Sequence, residues 1–217
     1  MKRYVLHTEK EIIEENFSVT SSSESLFVPS YNVFPGSPMP VVFYDSEREI
    51  KSAVWGISSK KEKITSFSKS EVEEGSIKDL NLKPCLIPAS GFYLWKQSVD
   101  DKYPFYIRML GREVLGLAGL YQEVEDKNGK KSLEFAVITK ASNVLLQPLE
   151  PTMPCILDPG NFEQWIKGNE KEVLQSQFQD TQLIPDLAVY RVPELVNDPS
   201  KNSKELIQAI PKLRDDD

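Results

Sequence analysis

The sequence is poor in the residues that most often bind transition metals or act as nucleophiles: its 217 residues include two cysteines and one histidine. Cys85 and Cys155 each lie in a short apolar run, "PCLIP" and "MPCIL", which is typical of small buried side chains. His7 lies near the N-terminus, where a surface position is more common than a catalytic one. These three residues cannot supply a ligand set with metal-site spacing, so we predict no metal and no cofactor.

Long apolar runs are also missing, so no segment is predicted to cross a bilayer. Acidic residues enter early in "MKRYVLHTEKEIIEENF", where a signal peptide would need an apolar core. We therefore predict a cytoplasmic protein with no membrane partner. The sequence also has no Gly-rich phosphate loop, no G-x-S-x-G and no H-E-x-x-H, which argues against the enzyme classes that those patterns mark.

Basic residues are fewer than acidic ones, 26 against 33, which gives a formal net charge of -7. A negative chain is not expected to bind nucleic acid broadly and without sequence preference, although a local basic groove is compatible with this balance. The densest basic segment is "SSKKEKITSFSKS", residues 58–70.

Short strand patterns dominate the chain, with a few helical patterns placed mostly late. Adjacent strands are predicted in "CLIPASGFYLWKQ" and "YPFYIRML", joined by a turn in "SVDDK", and again on both sides of the tight turn at Asn128–Gly129. Residues 58–82 have weak periodicity and predict a long exposed loop. Together these patterns predict one α+β domain over residues 1–217, with a largely antiparallel, barrel-like sheet.

Helices are predicted at four places. One lies in "EKEIIEENF" near the N-terminus, and a second begins at Asp158 and Pro159 and ends at Gly168. "EVLQSQF" predicts a short third helix, and "SKELIQAIPK" a fourth with Ser203 as its cap.

Several segments, in order, resemble the SRAP family, named for SOS response-associated peptidases and also called abasic-site processing proteins. They are "SYNVFPGSPMPVV", "KPCLIPASGFYLW", "YPFYIRM", "LGLAGLYQ", "FAVITKASN", "MPCILDPGNFEQWI" and "YRVPELVNDP", and the match spans residues 1 to about 210. This resemblance implies the compact SRAP fold. It also implies a role in processing abasic sites in single-stranded DNA during the DNA damage response.

Family members carry out this role through an N-terminal cysteine, exposed when Met1 is removed. The amine and thiol of that cysteine form a thiazolidine with the abasic aldehyde, and a Glu, a His and an Asn assist. All four positions differ in this sequence. The family's Cys maps to Lys2, its Glu to Leu94 and its His to Glu150, and its Asn maps to Thr65 through a loose alignment. Two Arg positions that accompany the Asn and the His map to Phe67 and Thr152. We therefore predict a pseudoenzyme that keeps the scaffold and does not form the crosslink.

Three functions remain open at this point. The protein could still bind single-stranded DNA through aromatic and basic residues, for which the candidates are Trp55, Trp95, Lys60, Lys61, Lys63 and Lys69. It could instead form a transient Schiff base with abasic DNA through the Met1 amine or Lys2, with Glu150 as proton carrier. It could also be a non-catalytic protein-interaction module. A peptidase has the least support, because no Cys or Ser lies in a recognisable nucleophile arrangement.

Overall fold

The computed structural model describes residues 1–20, 22–59, 62–97, 102–125, 127–177 and 187–211. Within these ranges the strands are β1 (Tyr4–Leu6), β2 (Ser30–Val33), β3 (Pro38–Tyr44), β4 (Arg48–Trp55), β5 (Ile57–Ser58), β6 (Lys63–Ile64), β7 (Ser66–Ser68), β8 (Lys83–Ala89), β9 (Gly91–Gln97), β10 (Lys102–Met109), β11 (Leu115–Glu125), β12 (Lys131–Ala141), β13 (Thr152–Pro154), β14 (Ile156–Leu157) and β15 (Leu187–Arg191). The α-helices are α1 (Lys10–Phe17), α2 (Lys69–Glu74), α3 (Phe162–Ile166) and α4 (Glu170–Gln177). Single 3-10 turns occupy Glu24–Leu26, Lys78–Leu80, Pro159–Asn161, Glu194–Asn197 and Lys204–Ile207.

Five strands close into a barrel in the order β12–β4–β3–β8–β11, because β11 pairs again with β12. Every contact around this ring is antiparallel except β4–β12, where Trp55 lies opposite Phe135. Apolar side chains from all five strands fill the interior and form the main hydrophobic core. The predicted α+β class with a mostly antiparallel, barrel-like sheet is thus confirmed.

A second sheet has five strands in the order β15–β10–β9–β1–β2. It continues directly from the barrel, since β9 follows β8 after Ser90 alone. Gly91 begins β9, and a Cβ there would lie 2.5 Å from the carbonyl oxygen of Ile107 on β10. The close approach of β9 and β10 therefore requires glycine, and it sets the position of the residues that follow it on β9.

The described residues between 58 and 82 form more regular structure than the predicted loop. They include the β5–β6 pair, strand β7 and helix α2. Helix α2 begins with a capping box, in which the Ser68 side chain accepts from the backbone N–H of Glu71 and the Glu71 side chain accepts from the backbone N–H of Ser68. The S-x-x-E pattern at residues 68–71 is a sequence signal for this helix start, but the weak apolar periodicity of the segment obscures it.

The helix predictions are partly corrected. Asp158 and Pro159 begin a 3-10 turn that leads into α3, with no side-chain cap from Asp158. The predicted C-terminal helix is a single 3-10 turn, because Ser203 makes no side-chain cap and Pro211 follows soon after. Helices α1 and α4 and the turn at Gly129, which has a φ of 78°, agree with the predictions.

The predicted "SVDDK" turn lies almost entirely outside the described residues. No helix in the described ranges is long and apolar enough to span a membrane.

Candidate nucleic-acid interface

The start of the chain lies beside β9. Strand β1 pairs with β9 through Tyr4 opposite Phe92, and the Tyr93 N–H donates to the Arg3 carbonyl oxygen at 3.2 Å. The same antiparallel register carries Met1 and Lys2 alongside the far half of β9. A cleft of about 400 Å³ opens there, lined by Met1, Lys2, Arg3, Phe34, Pro35, Thr65, Trp95, Lys102 and Asn197.

Glu150 and Lys2 form an ion pair at the edge of this cleft. The Lys2 Nζ lies 3.3 Å from the Glu150 Oε1, and the glutamate side chain is 11% exposed. The same ammonium group lies 5.9 Å from the centre of the Trp95 ring, within range of a cation–π contact. Lys2, through a side-chain contact, lowers the pKa of Lys102. The ammonium groups of Lys2 and Lys102 therefore lie close together at this edge of the cleft, with Glu150 paired to Lys2.

The α-amino group of Met1 belongs to the same group of charges. Burial lowers its pKa, Glu150 raises it and Lys2 lowers it, so that the net pKa lies below that of an ordinary terminal amine. A lowered amine pKa increases the fraction of free base near neutral pH, and only the free base attacks a carbonyl group.

Trp95 forms one wall of the cleft and is held in place. It is 3% exposed, and its indole N–H donates to the Asn197 Oδ1 at 2.9 Å. Arg3 is fixed in the same way: its guanidinium donates to the Asn32 Oδ1 at 2.9 Å and to the Asn197 carbonyl oxygen at 3.3 Å. It also lies 5.5 Å from the Phe34 ring centre. The wall is consequently preorganised by residues from both ends of the chain.

Leu94 and Thr65, two of the positions mapped from the family, make different contributions to the cleft. Leu94 is fully buried in the main core, opposite Phe105 of β10. It therefore contributes packing and cannot carry a proton. Thr65 lines the cleft, and its carbonyl oxygen accepts from the Trp55 indole N–H at 2.8 Å and from the Val137 backbone N–H at 3.1 Å.

Trp55 itself has no exposed surface. Its ring lies 5.3 Å from Tyr4 and 6.3 Å from Phe135 between centres. The sequence pattern places it among candidates for base stacking, but burial leaves no face of the ring open to a base. In this structure Trp55 is a core residue that supports the chain at Thr65, and we assign it no DNA contact.

The candidate lysines are spread over several elements. Lys63 lies on β6 with its Nζ 3.6 Å from Glu134, and Lys69 begins α2 with its Nζ 3.6 Å from Glu73. Neither lines the cleft beside Trp95. Lys60 and Lys61 lie outside the described residues.

Both thiols are inaccessible. Cys85 and Cys155 are fully buried, and burial raises the pKa of Cys85 well above its ordinary value and that of Cys155 to about 12. In the part of the chain that the structure describes, no three His, Cys, Asp or Glu side chains converge as metal ligands would.

Sequence reasoning missed several residues that line the cleft, namely Arg3, Phe34, Pro35, Lys102 and Asn197. Phe34–Pro35 and Asn197 lie inside "SYNVFPGSPMPVV" and "YRVPELVNDP", both of which carry the family resemblance, so these segments held the available signal. Lys102 gave none, because only the pairing of β10 with β9 brings it to Lys2.

Comparisons with known proteins give a consistent result. A family model described as SOS response associated peptidase (SRAP) matches residues 2–199. Abasic site processing protein YoqW of Bacillus subtilis (strain 168) is 31% identical over 221 residues, which cover 95% of this chain and 98% of YoqW. Abasic site processing protein HMCES of Xenopus tropicalis is 26% identical over 225 residues, which cover 85% of this chain and 67% of HMCES.

The fold has solved counterparts as well. An X-ray structure of a protein from Bacteroides thetaiotaomicron has a TM-score of 0.79 at 18% identity, covering 97% of this chain and 100% of that one. A second, from Bordetella bronchiseptica, has a TM-score of 0.73 at 18% identity, covering 89% and 100%. These two likenesses concern the fold alone. With the family model matching nearly the whole chain and a relative of similar length above 30% identity, the protein belongs to the SRAP family.

Proposed function

We propose that this protein acts on abasic sites in single-stranded DNA by holding the lesion in the cleft beside Trp95, and that it forms no thiazolidine crosslink. The observation that carries this proposal is the composition of the cleft: it combines amines and a guanidinium with an aromatic wall, and the described residues that line it include no thiol. The curated relatives are named as abasic site processing proteins, which supports the choice of DNA lesion.

Charge supports the DNA contact. Lys2, Arg3 and Lys102 line one cleft in a protein whose overall charge is -7. Local cations of this kind attract a phosphate backbone even when the whole molecule is acidic. Phe34 is half-buried and Pro35 is exposed, so these two residues add apolar surface beside the cations, suited to the sugar or to a neighbouring base.

The lack of a usable thiol supports the second half of the proposal. Closing a thiazolidine ring needs an amine and a sulfur on one residue at the cleft. Lys2 has no sulfur, and both cysteines of the chain are buried with raised pKa values. A buried, protonated thiol is a poor nucleophile.

Two measurements test the proposal. Fluorescence anisotropy at low salt should show tighter binding to a single-stranded oligonucleotide with one abasic site than to the matching duplex, and no heat-stable conjugate should appear on a denaturing gel. Binding no tighter than that of an acidic control protein would reject the DNA contact. A heat-stable conjugate with the unaltered protein would reject the claim about the crosslink.

A gain-of-function pair isolates the missing sulfur. In Lys2→Cys, Met1 removal would expose an amine and a thiol on one residue, and an N-terminal cysteine condenses readily with an aldehyde. We expect this variant to give a heat-stable conjugate with abasic DNA after Met1 removal is verified by mass spectrometry. Lys2→Ser, which allows the same removal, should give none.

A second function is favoured by the lowered pKa of the Met1 amine and by the Lys2–Glu150 pair. An amine of the cleft could condense with the abasic aldehyde to an imine, releasing water, with Glu150 transferring the proton. Borohydride would reduce that imine to a stable secondary amine. We expect trapped adduct in the wild type and less in Glu150→Gln. No covalent band in the presence of borohydride would reject this route.

A further inference from the structure

A second pocket, of about 280 Å³, lies beside the cleft and shares no lining residue with it. Its walls come from β7, α2, β12 and β13, and the lining residues are Ser68, Lys69, Ser70, Glu73, Thr139, Lys140, Ala141 and Thr152. We call it the lysine pocket. Its walls are mostly hydroxyl and charged side chains, which is the composition of a site for a polar ligand.

The two lysines of this pocket are both largely buried. Lys140 is 8% exposed on β12, where the neighbouring Ala141 lies opposite Thr152 of β13. The Lys69 side chain is 17% exposed, and its Nζ lies 3.6 Å from the Glu73 Oε1. Lysines are seldom buried to this degree, and placing two ammonium groups in one pocket costs free energy unless anionic groups compensate it.

The same three charges all act on the Cys155 thiol. Burial raises its pKa, Lys140 and Lys69 oppose that rise, and Glu73 adds to it. Both lysines and the glutamate are therefore grouped around one part of the barrel, and the lining of the pocket includes two cations and one acid.

The pocket is close to the cleft along two segments of chain. Thr65 lines the cleft and Ser68 lines the pocket, three residues later through β7. Glu150 pairs with Lys2 at the cleft, and Thr152 lines the pocket two residues later. At about 3.3 Å per extended residue, the two sites are about 7–10 Å apart. A neighbouring nucleotide of the same oligonucleotide can reach across such a distance.

We infer that the lysine pocket binds a backbone phosphodiester of single-stranded DNA, next to the nucleotide held in the cleft. Lys140 and Lys69 supply the charge, and the hydroxyl of Thr152, an exposed residue, can add a donor at the rim of the pocket. Glu73 pairs with Lys69 in the unbound protein and competes with the phosphate. This inference rests on the proposed DNA function and adds a site to it.

The test is affinity for an intact single-stranded oligonucleotide, measured by anisotropy over a range of salt concentrations. Lys140→Met keeps the apolar stem and removes the charge, and we expect it to weaken binding by about tenfold. It should also reduce the slope of log affinity against log salt by about 0.7. Glu73→Gln removes the competing acid, so we expect it to tighten binding by roughly threefold. Lys140→Arg, which retains the cation, should bind nearly as the wild type.

The chain offers matched controls far from the pocket, on β12 and its neighbour β11. Lys131 lies at the opposite end of β12 and pairs with Glu123 at 2.8 Å, about 30 Å from Lys140 at the usual rise per residue. Lys131→Met and Glu123→Gln make the same charge changes far from the pocket and should leave affinity close to that of the wild type. Melting curves verify that each variant is folded.

The outcomes separate the two proposals. Wild-type binding that is weakened by Lys102→Ala but unchanged in Lys140→Met and Glu73→Gln would overturn the phosphate pocket and leave the proposed function standing. No wild-type binding would overturn both. Thermal unfolding in inorganic phosphate, compared with chloride at equal ionic strength, tests whether the pocket binds a free anion instead of a backbone phosphate. Phosphate that protects the wild type against thermal unfolding, together with DNA affinity that is indifferent to Lys140→Met, would assign the pocket to the free anion.

Discussion

Leu94 occupies a fully buried position on β9, two residues after Phe92, which pairs with Tyr4 of β1. An aliphatic side chain there adds to the core and gives no proton to the neighbouring amines. Position 2 supplies an amine on a long flexible stem where a thiazolidine would need a sulfur. The proposed loss of the crosslink therefore rests on these two side chains.

Gly116 is a second position where the residue type is decisive, here for the packing of the core. A Cβ there would lie 2.5 Å from the Phe162 ring and 3.2 Å from Phe17, whose rings stack with their centres 5.0 Å apart. Because the core has no space for the extra methyl group, we expect Gly116→Ala to lower the free energy of unfolding by about 1–3 kcal/mol in urea titrations.

The matched control is Gly160→Ala. A Cβ at Gly160 meets nothing within 4 Å, and its φ is not positive. This variant should unfold at nearly the wild-type urea concentration. Equal urea midpoints for the two variants would show that the Phe17 and Phe162 rings move to accept the extra methyl group, contrary to the close packing around Gly116.

At the scale of elements, the β5–β6 pair depends on one acid of the barrel. Glu134 of β12 is buried and accepts from the Ser58 N–H at 2.6 Å, the Ser58 Oγ at 2.7 Å and the Gln122 Nε2 at 3.1 Å. Lys63 of β6 lies 3.6 Å away. Burial would raise the pKa of Glu134, but these hydrogen bonds and the lysine bring it below its ordinary value.

A lowered pKa in the folded state stabilises the protein above the unfolded-state value, near 4.5, and that contribution is lost as the pH falls through the folded-state value. We expect Glu134→Gln to cost about 1–3 kcal/mol at pH 7, because the buried donors lose a charged acceptor, and progressively less below pH about 4.5. Urea titrations across this pH range measure the difference.

The control for this prediction is Glu125→Gln. Glu125 is an exposed residue at the end of β11, so neutralising it should leave the urea midpoint nearly unchanged at every pH. If Glu134→Gln showed an equally small, pH-independent effect, Glu134 would not be the anchor of the β5–β6 pair.

The sequence predicts the long barrel strands well, because alternating apolar residues and the Asn128–Gly129 turn are local signals. Its weakest prediction covers residues 58–82, where β5, β6 and β7 are only two or three residues long. β7 pairs with the distant strand β12, and the β5–β6 pair is anchored by Glu134 of the same strand. The same holds for the residues of the cleft. The family pattern locates Lys2 and Trp95, but only strand pairing brings Lys102 close to Lys2. Only the tertiary structure shows that Trp55 is enclosed while Trp95 borders the cleft.

At the scale of the whole molecule, the two ends of the chain are joined around Asn32. Its Nδ2 lies within hydrogen-bonding distance of the carbonyl oxygens of Val196, Asp198 and Lys201, and its Oδ1 accepts from Arg3. Asn32 is 5% exposed, so water cannot replace these partners easily. The segment that follows β15 is thereby attached to the second sheet and to the cleft.

We expect Asn32→Ala to lower the free energy of unfolding by about 2–4 kcal/mol, because several carbonyl groups lose their donor in a largely buried place. Hydrogen exchange should also speed up in residues 196–202. Asn202→Ala, which removes a more exposed contact to the Tyr31 N–H at 2.6 Å, should cost less. Equal effects of the two substitutions would contradict a central role for Asn32.

The parallel contact between β4 and β12 has a consequence for the order of folding. Trp55 meets Phe135, so the barrel cannot close before the second half of the chain has been synthesised. Until then the partial sheet β4–β3–β8–β11 has unpaired edges at β4 and β11, and pairing between strands so distant in sequence is intrinsically slow. A nascent chain released before β12 should therefore aggregate instead of folding, and the time between synthesis of β8 and β12 is when this protein most needs a chaperone.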